Sequence, residues 1–246
     1  MKTRSIFSLF AVALVALFVT SCDKNDNEWD LPNLYTYATV MEVEQSAQTT
    51  EASSIYFERD NGETFNIGEN KSTADYSKLT VGERVVMGVT LLETDNETFD
   101  YTATLYELIT VLMGEFKTVT TEEENEAIAD DALDYIAKDA TLTLGYLNLY
   151  VGFSAKSLED IAFYLVENAI VDEATEDDGD YLALELRYDS NGADGAGTEY
   201  GRYVSFDMSE YSELLEGKDG ISLRVLFDGD KTVEMEIDSK DLFPAE

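Results

Sequence analysis

Apolar and polar residues alternate with a period of two over much of this chain, the spacing of half-buried β-strands. YTYATVMEVE (35–44) opens the series. SIYFERDNGETFNIGE (54–69) reads as a hairpin. Its β-rich arms flank Asp60-Asn61-Gly62, residues that tolerate the positive φ of a tight turn. KSTADYSKL (71–79) is a polar connection with room for one helical turn. GERVVMGVTLLETD (82–95) is a long strand, and Gly88 inside it marks a bulge or sharp bend. FDYTATLYELITVLM (99–113) runs back. Five long, bent strands with one early hairpin predict a small closed barrel of the OB type.

GEFKTVTTEEENEAIADDALDYIAKD (114–139) breaks the alternation. Thr120 or Thr121 is placed to cap a helix, with Glu122, Glu123 and Glu124 in its first turn. Ile128, Ala132 and Ile136 recur at i, i+4 and i+8, one face of such a helix. The segment reads as a linker with some helix, leading into a second domain.

Strands then resume. TLTLGYLNLYVGF (141–153) sets Leu147, Leu149, Val151 and Phe153 on one side. IAFYLVENAIV (161–171) is nearly continuous in apolar residues, as a strand buried on both faces or a helix would be. DYLALELRYD (180–189) turns Leu182, Leu184 and Leu186 inward, with Glu185 and Arg187 outward. TEYGRYVSFDM (198–208) alternates through Tyr203 or Val204 and Phe206. GISLRVLFDGDKTVEMEID (220–238) is a hairpin across Asp228-Gly229-Asp230. The expected architecture is all-β: an N-terminal five-stranded OB-type barrel over 34–115, then an antiparallel β-sandwich over 116–243.

The chain opens differently. Lys2 and Arg4 precede IFSLFAVALVALFV (6–19), which carries no charge. Fourteen residues make a helix of about 21 Å, short of a ~30 Å hydrocarbon core, so a signal peptide suits the length better than a spanning helix. The stretch ends Val19-Thr20-Ser21-Cys22, with the only cysteine in the chain. It resembles the lipobox of bacterial lipoproteins. That resemblance implies cleavage after residue 21, a diacylglyceryl group on the sulfur of Cys22 and an acyl group on its new amine. Several chains hold firmly at ~0.8 kcal/mol per buried CH₂, where one alone is marginal. The alternative is an ordinary secretory signal with an incidental cysteine, against which stands the liability of a free thiol in an oxidising compartment. Residues 22–33 form an acidic, solvated tether. An acidic run behind the cysteine resembles a surface-export signal in some Gram-negative groups, whereas Asp23 directly after it resembles an inner-membrane retention signal in others. The expected site is the outer membrane, facing outward.

Charge narrows the partners. The chain has 52 acidic and 16 basic residues, for a net charge of −36. Such a surface repels phosphate backbones and anionic lipid heads, so nucleic acid is not expected and the acyl chains must do the anchoring. There is no histidine, which removes Ser-His-Asp and Cys-His catalysis and the usual zinc sites. No internal disulfide can form, so the fold rests on its apolar cores.

An ordered set of landmarks carries a further resemblance: the lipobox, YATV (37–40), the hairpin, GERVVMGVTLLETD, TTEEENEAI (120–128), GYLNLYVGF (145–153), LELRYDSNG (184–192) and RYVSFDMS (202–209). Together these resemble the NigD-like family of Gram-negative lipoproteins, with an N-terminal OB-type domain and a C-terminal β-sandwich. The resemblance spans nearly all of the chain after the signal. It implies the fold and the compartment, and brings no catalytic residues; the family is named for association with a bacteriocin locus. Residues 125–144 depart from the shorter approach usual before the GYLN-type strand.

Candidate sites are few. Asp189-Ser190-Asn191-Gly192-Ala193-Asp194-Gly195 loosely resembles a calcium loop, but Ala193, Gly192 and Tyr200 stand where the EF-type pattern needs an acid, a different spacing and Glu. A hairpin loop explains it better. The acidic run 173–180 reads as a solvated turn. Carboxylate pairs for glycoside hydrolysis cannot be told apart among 52 acids. The 15 Tyr and 12 Phe read mostly as core, and the single Trp, Trp29, lies in the tether. The expectation is therefore a non-enzymatic envelope lipoprotein without a cofactor or metal. Cys22 is its lipid-attachment site, and it acts as a binding or assembly module for a protein partner, or alternatively for an oligosaccharide.

Overall fold

A computed structural model describes residues 31–42, 55–94, 98–143, 145–159, 161–170, 180–192, 197–227 and 231–238. Cys22, Trp29, residues 23–28 and most of the acidic run 173–180 lie outside the described residues.

The first five strands are β1 (Leu34–Glu42), β2 (Ile55–Arg59), β3 (Thr64–Asn70), β4 (Arg84–Glu93) and β5 (Tyr101–Thr110). They close into a barrel in the order β1-β2-β3-β5-β4, with β3 and β5 parallel and the other pairs antiparallel. Alternation builds its interior. Ala38 and Val40 on β1 and Val85, Met87 and Val89 on β4 are fully buried. Phe57 and Phe65 lie opposite each other in register and stack at 5.4 Å. The β2–β3 hairpin turns where the sequence predicts, with Gly62 at φ +83°. A single 3₁₀ turn, Tyr76–Lys78, occupies the polar connection. The pairing of β4 with β5 slips at Gly88/Val89, the expected irregularity, and Tyr106 is the extra residue on β5.

The stretch 99–113 is not one strand. It breaks at Val111, whose N–H donates to the carbonyl of Arg84, and β6 (Leu112–Val119) begins beyond it. β6 builds the second domain. Leu112–Gly114 pair with β12 (Thr198–Asp207), and Glu115–Val119 pair on the other edge with β10 (Ala162–Asn168). The remaining strands are β7 (Tyr135–Ile136), β8 (Thr141–Leu142), β9 (Tyr146–Ala155), β11 (Tyr181–Asp189), β13 (Gly220–Phe227) and β14 (Lys231–Asp238). They form one curled sheet, β14-β13-β11-β10-β6-β12-β9-β7, with β8 also on β9. Its two halves face each other as a sandwich around Leu147, Leu149, Phe153, Leu184, Phe206 and Leu223. Each such side chain contributes roughly 1.5–3 kcal/mol on burial. Within this sandwich β6·β10, β6·β12 and β11·β13 run parallel, beside five antiparallel pairs. Within 161–171 the strand is Ala162–Asn168, with Phe163, Leu165 and Val166 buried.

Two expectations are corrected. The helix after Thr121 lasts only Glu122–Glu126, closed by a capping box between Thr121 and Glu124. Ile128, Ala132 and Ile136 share no helical face, because the chain is drawn onto the sandwich: Asp131 bridges Tyr188, Leu133 bridges Phe227 and Ile136 joins β7. Arg187 does not face water either. It is 6% exposed, bonded to Glu185 and to the carbonyl and side chain of Asn125, so the short helix folds over it.

Candidate functional site

The outward faces of β1, β4, β9 and β12 meet between barrel and sandwich. Phase explains which residues arrive there. On β1 the even residues fill the barrel and the odd ones, Tyr35 and Tyr37, point away from it. On β9, Leu147, Leu149 and Val151 fill the sandwich, so Asn148 and Tyr150 point away. On β12, Val204 and Phe206 face the core, leaving Tyr203 and Ser205 on the outside.

Polar side chains join the two domains at this seam. Arg84 is 2% exposed and donates to Asp60 from Nη1 (2.5 Å) and Nη2 (3.0 Å), a two-pronged charge-assisted pair. Nη2 also donates to Oδ1 of Asn148 (2.9 Å). Asn148 is 1% exposed; its Nδ2 donates to Asp60 (2.8 Å) and its Oδ1 accepts from Ser205 (2.6 Å). The guanidinium carbon lies 3.6 Å from the ring centroid of Tyr146, a cation–π contact. Arg84 Nε alone among the buried side-chain nitrogens and oxygens of the described residues lacks a hydrogen-bond partner.

Beside this junction opens a cleft of about 650 Å³. Asp60, Thr141 and Thr143 line it together with Tyr35, Tyr37, Tyr150 and Tyr203. Burial pushes the Tyr37 phenol well above its ordinary range, with Tyr203 and Asp139 adding to the effect, and burial raises Tyr203 as well. Tyr35 is raised chiefly by its hydrogen bond to Glu107 (3.0 Å) and Tyr135 by one with Tyr150. A phenol hydroxyl can both donate and accept a hydrogen bond. Asp60, which also lines the cleft, is ion-paired to Arg84.

The sequence alone marks no ligand site here, and its alternation assigns most aromatics to the cores. Phe57, Phe65, Phe153, Phe163 and Phe206 are core, but these tyrosines are not. The signal was their phase: each stands one residue out of step with the apolar side chains of its own strand. Elsewhere, Asp189 accepts from the N–H of Asn191 (2.8 Å), and Ser190 donates from N and Oγ to Asp131. No group of three or more His, Cys, Asp or Glu suited to a metal occurs among the described residues.

Similarity to known proteins agrees with this architecture. A solved protein of unknown function from Bacteroides vulgatus is 25% identical, with a TM-score of 0.63, over 86% of this chain and 95% of that one. A NigD-like immunity protein from Bacteroides caccae shares 18% identity and a TM-score of 0.51, over 82% and 92%. A candidate lipoprotein from Bacteroides fragilis shares 14% and 0.52, over 82% and 97%. No curated protein matches. The model of the NigD-like C-terminal beta sandwich domain matches residues 115–238. That match takes in half of the chain, and the protein belongs to the NigD-like family.

Proposed function

We propose that this protein is a cell-envelope lipoprotein that binds a ligand in the cleft between barrel and sandwich and does not transform it. Acyl chains on Cys22 anchor it in the outer membrane, facing outward. The observation that carries the reading is the built cleft, whose floor is held by Arg84, Asp60 and Asn148 before any ligand arrives. The 19–22 motif and the described lipoprotein character of the B. fragilis relative support the anchor. A protein occupant is the second reading, favoured by the description of the B. caccae relative as an immunity protein.

Metabolic labelling with an alkyne fatty acid tests the anchor. Wild-type protein should take up label and sediment with membranes, and Cys22→Ser should do neither. A photo-crosslinker at Tyr203 should capture a molecule that one at Leu92, far along β4 from Arg84, does not. Equal labelling of both proteins, or equal capture at both positions, would overturn the proposal.

A further inference from the structure

The cleft tyrosines belong to a longer strip. Tyr37 meets Tyr203 edge-on at 5.8 Å, Tyr203 leans on Tyr150 at 4.8 Å, and Tyr150 reaches Tyr135 at 6.0 Å. Tyr35 stands two residues before Tyr37 on the same face of β1. The strip crosses from the barrel to the short edge strand β7, where a second hollow of about 440 Å³ lies beside Tyr135 and Tyr200.

Glycines seat the rings. Gly152 and Gly201 are direct partners across β9 and β12. A Cβ on Gly152 would fall 2.0 Å from Cε1 of Tyr135, and one on Gly201 would fall 2.3 Å from the hydroxyl of Tyr150 and 2.7 Å from that of Tyr135. The Tyr135 ring thus covers bare backbone and occupies space that any other residue at 152 would fill. It still keeps 45% of its surface exposed, and Tyr35 keeps 59%. A ring seated on one side and open on the other, with hydroxyls and carboxylates around it, suits a sugar. The C–H face of the sugar stacks on the aromatic, and its hydroxyls bond to the rim.

Charge restricts the sugar. Asp139 lines the first hollow, whose lining cation Arg59 is ion-paired to Glu63; Asp134 and Glu199 line the second, and the chain has 52 acids against 16 bases. A uronate-rich or sulfated chain would be repelled. A protein partner is less well served. The edge strand β14 exposes Val233 but also presents Glu234, Glu236 and Asp238 to solvent, charges that disfavour strand addition.

We infer that the strip of Tyr35, Tyr37, Tyr203, Tyr150 and Tyr135 is the binding surface for a neutral oligosaccharide several rings long. This rests on the reading of the cleft as a ligand site.

The test uses the acylated full-length protein in detergent micelles, titrated with maltohexaose, cellohexaose, xylohexaose and mannohexaose, with polygalacturonate and dextran sulfate as charged counterparts. At least one neutral hexaose should bind, and the polyanions should not. Tyr35→Ala and Tyr135→Ala, at exposed rings outside both cores, should each weaken binding about three- to tenfold. Tyr135→Trp should keep binding and shift its emission when sugar is added. Absence of binding to any neutral hexaose, or binding unchanged by both alanine variants, would overturn the inference. Capture of a protein by the crosslinker at Tyr203 without sugar binding would do so while leaving the ligand site standing. No capture and no sugar would remove both.

Discussion

Arg84 and Asp60 share two hydrogen bonds with only 1% and 11% of their side chains exposed, and Asn148 reaches across from the sandwich to touch both. Breaking such a pair leaves a buried charge without compensation, which costs about 3–5 kcal/mol. Arg84→Ala should therefore lower the unfolding free energy measured by urea titration by an amount in that range. Replacing both partners, as Arg84→Met with Asp60→Leu, should recover much of the loss, because no charge is then stranded. A double variant as unstable as the single one would count against this account.

Gly114 is the last residue of β6 to pair with β12, and Glu115 the first to pair with β10. A Cβ at 114 would fall 2.1 Å from Cε1 of the buried Phe206 ring. Gly114→Ala forces that ring aside and should cost about 1–3 kcal/mol in thermal unfolding. Combined with Phe206→Leu, the penalty should be less than the sum of the two, as expected for neighbours.

The strip also sets an alkaline limit. Tyr37 and Tyr203 are raised by burial, and Tyr135 by its hydrogen bond with Tyr150, all from an ordinary value of 10.0. The folded state holds these protons more tightly than the unfolded one. Their contribution is therefore complete below pH 10 and fades as pH climbs through the folded values. Tyrosinate absorbance should show a late-titrating group of phenols that becomes ordinary in urea. Tyr37→Phe should flatten part of the stability loss above pH 10.

At the acid end Glu124 is the marker. The N–H of Thr120 (2.9 Å), followed by other groups of Thr120 and Thr121, lowers its carboxyl below the ordinary value of 4.5. Its support is present above pH 4.5 and disappears as pH falls through the lowered value. Glu124→Gln should remove that part of the acid-side slope. Thr121→Ala, which loses the cap to the Glu124 N–H, should cost about 0.5–2 kcal/mol near neutral pH.

Periodicity made the strands and both cores legible, because residues such as Leu147, Leu149, Val151 and Phe153 differ so sharply from their neighbours. It says nothing about strand direction, so the parallel pairs of β6 could not be read. Nor does it say what covers a polar face. Asn148, Ser205 and Arg187 each fall where solvent would be expected, and each is buried by something distant in the chain: the barrel for the first two, the short helix at Asn125 for the third. The run Ile128, Ala132, Ile136 shows the opposite failure. Its spacing is helical, but contacts with Tyr188 and Phe227 outweigh so short a helix, as tertiary packing commonly does. The tyrosines stand out of step in the sequence, and their placement on four separate strands conceals that they converge.

One residue, Val111, separates the last barrel strand from the first strand of the sandwich. The two modules are therefore poor candidates for exchange. A barrel transplanted from a distant homologue would bring its own partner for Asn148 and Ser205, or none. A loop lengthened at Val111 would swing the tyrosines of β1 away from those of β9 and β12. Drift on either side of the seam has to be answered on the other, so barrel and sandwich are expected to be inherited as a single piece.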